Sequence, residues 1–79
     1  MSIERIYEDI NSERITFGPH LIQRMWENSI SIDQVLDTIL TGKDERSHGK
    51  FSKFTISKGD IVVVVKDCNP AFIITANRR

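Results

Sequence analysis

Five consecutive β-branched residues, Ile61-Val62-Val63-Val64-Val65, lie near the end of a chain of only 79 residues. β-Branched side chains are stiff at χ1 and fit a pleated surface. A continuous run of them, rather than an alternation, is the pattern of a strand covered on both sides or central in its sheet. The chain must therefore build a sheet around residues 61–66. A chain this short buries roughly 60% of its unfolded surface, which supports one small core and one domain. Size alone excludes a Rossmann unit with a substrate domain, a protein-kinase fold and a full (β/α)₈ barrel.

The neighbouring segments read as further strands. Phe51 to Ser57 places Phe54 and Ile56 on one face. Ser57-Lys58-Gly59-Asp60 is a hairpin turn in which Gly59 can take a positive φ. Asp67-Cys68-Asn69-Pro70 is a second turn, and Ala71 to Asn77 a final strand. Lys43 to Lys50 is polar and reads as a loop or the frayed start of a strand.

Before residue 42 the period is helical. Ile3, Ile6 and Ile10 predict an amphipathic helix from about Ser2 to Asn11, with Ser2 as a candidate N-cap. Ile15-Thr16-Phe17 is a small extended segment or a helix lead-in. Pro19 suits a first helical turn. A helix should run from there to Glu27 or Asn28, with Leu21, Ile22, Met25 and Trp26 as its apolar face. Ser31 and Gln34 form a capping box, with Ile30 as a staple before it. Ile32, Val35, Leu36, Ile39 and Leu40 continue at helical spacing, and Thr41-Gly42 supplies the stop. The expected fold class is α+β: two or three N-terminal helices packed on a three-stranded antiparallel β-meander. Residues 1–79 form a single domain, with a core over 15–79 and an N-terminal helix, 1–14, that could be peripheral.

No apolar run approaches the roughly 20 residues needed to cross a bilayer. Met1-Ser2-Ile3-Glu4-Arg5 lacks the apolar stretch of a secretory signal. A single Cys makes no internal disulfide, so the cytoplasm is the simplest compartment. The formal net charge is zero, but it is unevenly spread. Residues 1–40 carry seven acids and three bases, a net of −4, and residues 41–79 carry four acids and eight bases, a net of +4. Such a split can mark a surface for an anionic partner. From the counts alone, chance unevenness is the preferred reading.

His20 is the first candidate for chemistry. It sits in the first turn of a helix, where an imidazole could act as a general base. An exposed or hydrogen-bonded histidine without function is the plainer account. Arg24 lies one turn on, so both side chains could face one phosphodiester, the imidazole moving a proton and the guanidinium forking onto phosphate oxygens. An i, i+3 pair between Arg24 and Glu27 is the plainer account here. His48 lies in the basic stretch with Arg46 and Lys50 and could be a second proton carrier, or a solvated surface histidine. Thr75, Asn77, Arg78 and Arg79 could add contacts at the end of the last strand, although chain ends commonly fray. Cys68 reads as a bystander and Trp26 as core. Two His and one Cys without ligand spacing argue against a structural metal, and no cofactor-binding motif is present.

The stretch Ile15-Thr-Phe-Gly-Pro-His20-Leu-Ile-Gln-Arg24-Met25, followed by Ile30-Ser31, resembles the small bacterial and phage domains called domain of unknown function 4258. His20, Arg24, Met25, Ile30, Ser31 and Thr75 occupy matching positions over about residues 15–77. Where that family usually shows Arg-Gly, this chain has Asn28-Ser29. The order of helices then meander is similar to RelE-like and BrnT-like toxins, within a wider group of barnase, colicin and RelE-like ribonucleases. The ending Ile-Ile-Thr-Ala-Asn-Arg-Arg looks like the closing strand of BrnT-like toxins.

The resemblance implies a small toxin-like ribonuclease that cleaves RNA without a metal. The resemblance favours His20 and Arg24 as site residues; together with the residue-by-residue reading, His20, Arg24 and His48 would be catalytic and Arg46, Lys50, Thr75 and Arg78 would bind substrate. It also implies an acidic antitoxin or immunity partner. The alternatives are a non-enzymatic interaction module of phage or plasmid origin, supported by the neutral net charge, or a degenerate relative that binds RNA without cutting it. A free sheet edge could pair two copies into a homodimer.

Overall fold

A computed structural model describes residues 3–48, 53–68 and 70–79. The order of elements is α1 (Ile3–Asn11), β1 (Ile15–Phe17), α2 (Leu21–Glu27), α3 (Ile32–Thr41), β2 (Lys43–His48), β3 (Lys53–Lys58), β4 (Ile61–Lys66) and β5 (Ala71–Arg78). One sheet contains all five strands in the order β1-β5-β4-β3-β2. β2 to β5 form an antiparallel meander, and β1 pairs in parallel with β5.

The α+β class and the three helices are as expected, but the three-stranded antiparallel meander is corrected to a five-stranded mixed sheet. The extra strands are the two segments whose pattern was weakest. β1 has three residues, too few to show a period, and is held by pairing Ile15, Thr16 and Phe17 with Ala71, Phe72 and Ile73. β2 is the polar stretch Lys-Asp-Glu-Arg-Ser-His. An edge strand needs only one partner and is commonly kept charged so that it does not recruit another. The run at 61–66 does take the central position, with Val63 and Val65 fully buried and Val62 and Val64 half-buried.

Alternation sorts the sheet into two faces. Phe54, Ile56, Ile61, Val63, Val65, Ala71, Ile73 and Ala76 point to one side and are buried. Against them pack Ile6 and Ile10 of α1, Leu21 of α2, Ile30, and Val35 and Ile39 of α3. The first helix is therefore part of the core. Asp9 fastens it: its carboxylate accepts from the Ala71 N–H at 2.9 Å and from Arg14 at 3.1 Å.

Local chemistry sets the ends. At Ser31 both bonds of the capping box form: the hydroxyl accepts from the Gln34 N–H at 3.2 Å, and the Gln34 side chain accepts from the Ser31 N–H at 2.8 Å. Gly42 ends α3 in extended backbone, so the stop is not a left-handed cap. A Cβ there would collide with the Thr38 carbonyl oxygen and lie 2.6 Å from that of Ser57. Gly59 takes φ +63° in the two-residue loop between β3 and β4. The expected N-cap Ser2, strand start Phe51 and turn residue Asn69 lie outside the described residues.

Candidate functional site

α2 begins where β1 ends and runs beside the second half of β5. The Gly18 N–H donates to the Ile73 carbonyl at 2.9 Å, and Arg78 reaches the carbonyls of Asn28 and Ser29 at 2.7 and 3.2 Å. Only the Leu21 and Met25 stripe turns into the core. The other side chains of this short helix are left outside, and they divide into two flanks.

One flank carries His20 and Arg24. His20 precedes α2 as its N-cap in a helical conformation, and its side chain makes no capping bond. It is exposed, so the imidazole is not used by the fold. Arg24 is also exposed and faces Glu27 at 3.6 Å. That is the pairing the spacing offers, and at such separation in water it is worth a few tenths of a kcal/mol. A phosphate could displace it at little cost.

The other flank carries Ile22 and Trp26. Trp26 was expected in the core; instead it is 86% exposed, and Ile22 is 61% exposed. The apolar face read from the sequence is wider than the strip that the sheet edge covers. Trp26 and Met25 line a groove of about 460 Å³ with Ser29, Ile30, Ser31 and Gln34, so this flank is turned toward α3. At 3.6 residues per turn the His20 and Arg24 stripe lies about 160° around the axis from Ile22 and Trp26. It is turned away from α3.

Thr75 is half-buried, pairs with Val64 and accepts from the Asn77 side-chain amide at 3.3 Å. Arg78 is spoken for: besides the two carbonyls, its Nη1 donates to Asp60 at 2.8 Å. It clips the α2–α3 turn to the end of the sheet and is not a free cation. The backbones of Arg46 and His48 pair with Thr55 and Lys53. The side chains of Arg46 and His48, and the whole of Lys50, lie outside the described residues.

The helices pack on one face of the sheet, and the register sets which side chains share the other. Lys53, Lys66 and Phe72 stand in one row across β3, β4 and β5, and Thr55, Val64 and Thr75 in the next. Lys43 pairs with Ser57 and extends the same face. The only available signal was the alternation within each strand, which becomes a surface once the register is known. Among the described residues, no three of His, Cys, Asp and Glu converge as a metal ion would require, and no helix is long and apolar enough to cross a membrane.

No curated protein and no solved structure matches the chain. Residues 17–78 match the family described as domain of unknown function (DUF4258). That span contains α2, α3, the entire meander and the His20–Arg24 stripe, and the chain belongs to this family of domains of unknown function.

Proposed function

We propose that this domain is a toxin-like ribonuclease that cleaves RNA by general acid–base chemistry at His20, with Arg24 holding the phosphate. The observation that carries the reading is an exposed imidazole, unused by the fold, one helical turn from an exposed guanidinium in a weak ion pair. The reaction needs few parts. A base takes the proton of a 2′-hydroxyl, the oxygen attacks the adjacent phosphorus, and an acid protonates the departing 5′-oxygen. The guanidinium neutralises charge that builds on the phosphate oxygens. His48 is the candidate second proton carrier, and Arg46, Lys50 and Thr75 are candidate substrate contacts. The resemblance to RelE-like and BrnT-like toxins supports the same reading, and it brings with it an acidic antitoxin or immunity partner.

Induced expression in a bacterial host tests this. Wild type should arrest growth, and soluble, folded His20→Ala should not. Arrest by both proteins removes His20 from the mechanism.

A second reading, a protein-interaction module, is favoured by the exposure of Trp26 and Ile22 and by the groove that Trp26 and Met25 line beside α3. If activity in the cell is lost in Trp26→Ser but kept in His20→Ala, this reading replaces the first. Homodimer pairing through the sheet edge has less support, because β2 is charged and carries a register shift between Asp44 and Arg46.

A further inference from the structure

The exposed apolar surface of the domain is concentrated on one flank. Among the described residues, four large hydrophobic side chains are exposed, and three of them, Ile22, Trp26 and Ile32, lie on α2 or in the first turn of α3. Single exposed apolar residues are ordinary, but a cluster of them rimmed by polar residues marks an interaction surface. The surroundings of Trp26 are also fixed. The Ile30 N–H donates to the Met25 carbonyl at 2.9 Å, the Asn28 side chain donates to the Arg24 carbonyl at 2.8 Å, and Arg78 holds the carbonyls of Asn28 and Ser29. The indole therefore projects from a pinned turn, which lowers the entropy lost when it is covered.

The groove beside Trp26 selects the chemistry of its occupant. Its lining, Met25, Trp26, Ser29, Ile30, Ser31 and Gln34, contains no charged residue, so a partner recognised by charge finds nothing to hold there. The Ser31 hydroxyl and the Gln34 side-chain oxygen already accept from each other's backbone N–H groups in the capping box. What remains is a trough of about 460 Å³ that suits an apolar side chain. The chain carries such a side chain at the trough's own edge. A knob and a hole side by side on one surface are what a two-fold interface needs, since each copy gives its knob to the other's hole. The formal net charge of zero leaves no overall repulsion between copies.

We propose that the Trp26 flank is the interface of a two-fold symmetric homodimer, in which the Trp26 indole of each copy enters the groove between α2 and α3 of the other. A small specific interface takes roughly 600 Å² from each copy. The Trp26 indole supplies about 200 Å² of this, and Ile22, Ile32 and the groove rim supply the remainder. That size makes the dimer a weak, reversible one. The proposal rests on the interaction reading and names its partner, a second copy of this chain. It is independent of the ribonuclease reading, because His20 and Arg24 lie on the opposite side of α2 and stay open.

Sedimentation velocity on the purified full chain, from about 1 to 500 µM, with tryptophan emission recorded on the same samples, tests this. Wild type should pass from monomer to dimer as concentration rises. Trp26 is the chain's single tryptophan, so its emission should shift to the blue over the same range. Trp26→Ser should raise the dissociation constant at least about thirtyfold, since the anchor is lost from both halves at once. Gln34→Glu keeps the capping box, which Glu completes as Gln does, but sets a carboxylate in each groove. Its dimer should be at least about fivefold weaker at low salt. Arg5→Ala, an exposed position on α1, should dimerise as wild type does. Circular dichroism establishes that each variant is folded. A wild-type chain that stays monomeric at the highest concentration overturns the proposal. So does dimerisation with unchanged emission, or a Trp26→Ser or Gln34→Glu dimer as tight as wild type, because the contact then lies elsewhere. A monomeric wild type whose activity in the cell is still lost in Trp26→Ser overturns the dimer alone and leaves the interaction reading with a different protein in the groove.

Discussion

Ser29 holds φ +54°, a left-handed conformation that costs a side-chain-bearing residue roughly 1–2 kcal/mol. It sits in the tight turn between α2 and α3, and its carbonyl accepts from Arg78. The Gly of the Arg-Gly pair usual in similar sequences falls at this position. Replacing Ser29 with Gly relieves the strain but restores freedom to the unfolded chain, which offsets about half of the gain. Ser29→Gly should therefore stabilise the domain by about 0.5–1 kcal/mol in urea unfolding, with an unchanged m-value. Gly42 is the opposite case. Gly42→Ala should destabilise by at least about 2 kcal/mol, because the added Cβ meets two backbone carbonyls that cannot step aside. The same experiment reads both.

Between elements, the contacts are few and specific. Lys58 of β3 reaches Asp37 of α3 at 2.6 Å and Thr41 at 2.9 Å, so one ammonium ties the helix to the hairpin. The hydrogen bond from Lys58 holds the Asp37 carboxyl below its ordinary range. Its pKa is thus lower folded than unfolded. On acidification the unfolded chain takes up the proton first, so stability conferred by this group is present at neutral pH and is lost as pH falls through the depressed value. Asp37→Asn should flatten the pH dependence of the melting temperature below about pH 4 and leave its shape near neutrality unchanged. A wild-type curve no steeper than that of the variant would mean the pair does not persist in solution. The element scale also shows why the sequence was readable in places. The capping box at Ser31 and the run at 61–66 carry their own local signals. β1 and β2 have none, since a three-residue strand and a polar edge exist only through their partners. The His20–Arg24 stripe was visible because helical spacing is local. The Lys53–Lys66–Phe72 row was hidden because register between distant strands is not. The Arg78 clip was hidden for the same reason, with Asn28 50 residues away.

At the scale of the molecule, a thin domain of this kind cannot discard a layer. The family match begins at residue 17, after α1 and in the last residue of β1, so α1 could be taken for an accessory. Ile6 is fully buried and Ile10 nearly so, each worth about 1.5–3 kcal/mol of burial. Removing α1 also strips the Ala71 N–H of its Asp9 acceptor at the start of β5, the strand that organises β1 and α2. A 79-residue domain has a total stability of about 4–12 kcal/mol at the usual value per residue. The loss is thus of the same order as the whole. A chain beginning at Ile15 should lose its cooperative thermal transition, while Asp9→Ala in the full chain should keep the transition and lower stability by about 1–3 kcal/mol. The prediction fails if the shortened chain melts cooperatively within a few degrees of wild type. In that case the sheet is held by α2 and α3 alone, and Asp9→Ala should then be nearly silent as well, because both results measure the same attachment of α1 to β5.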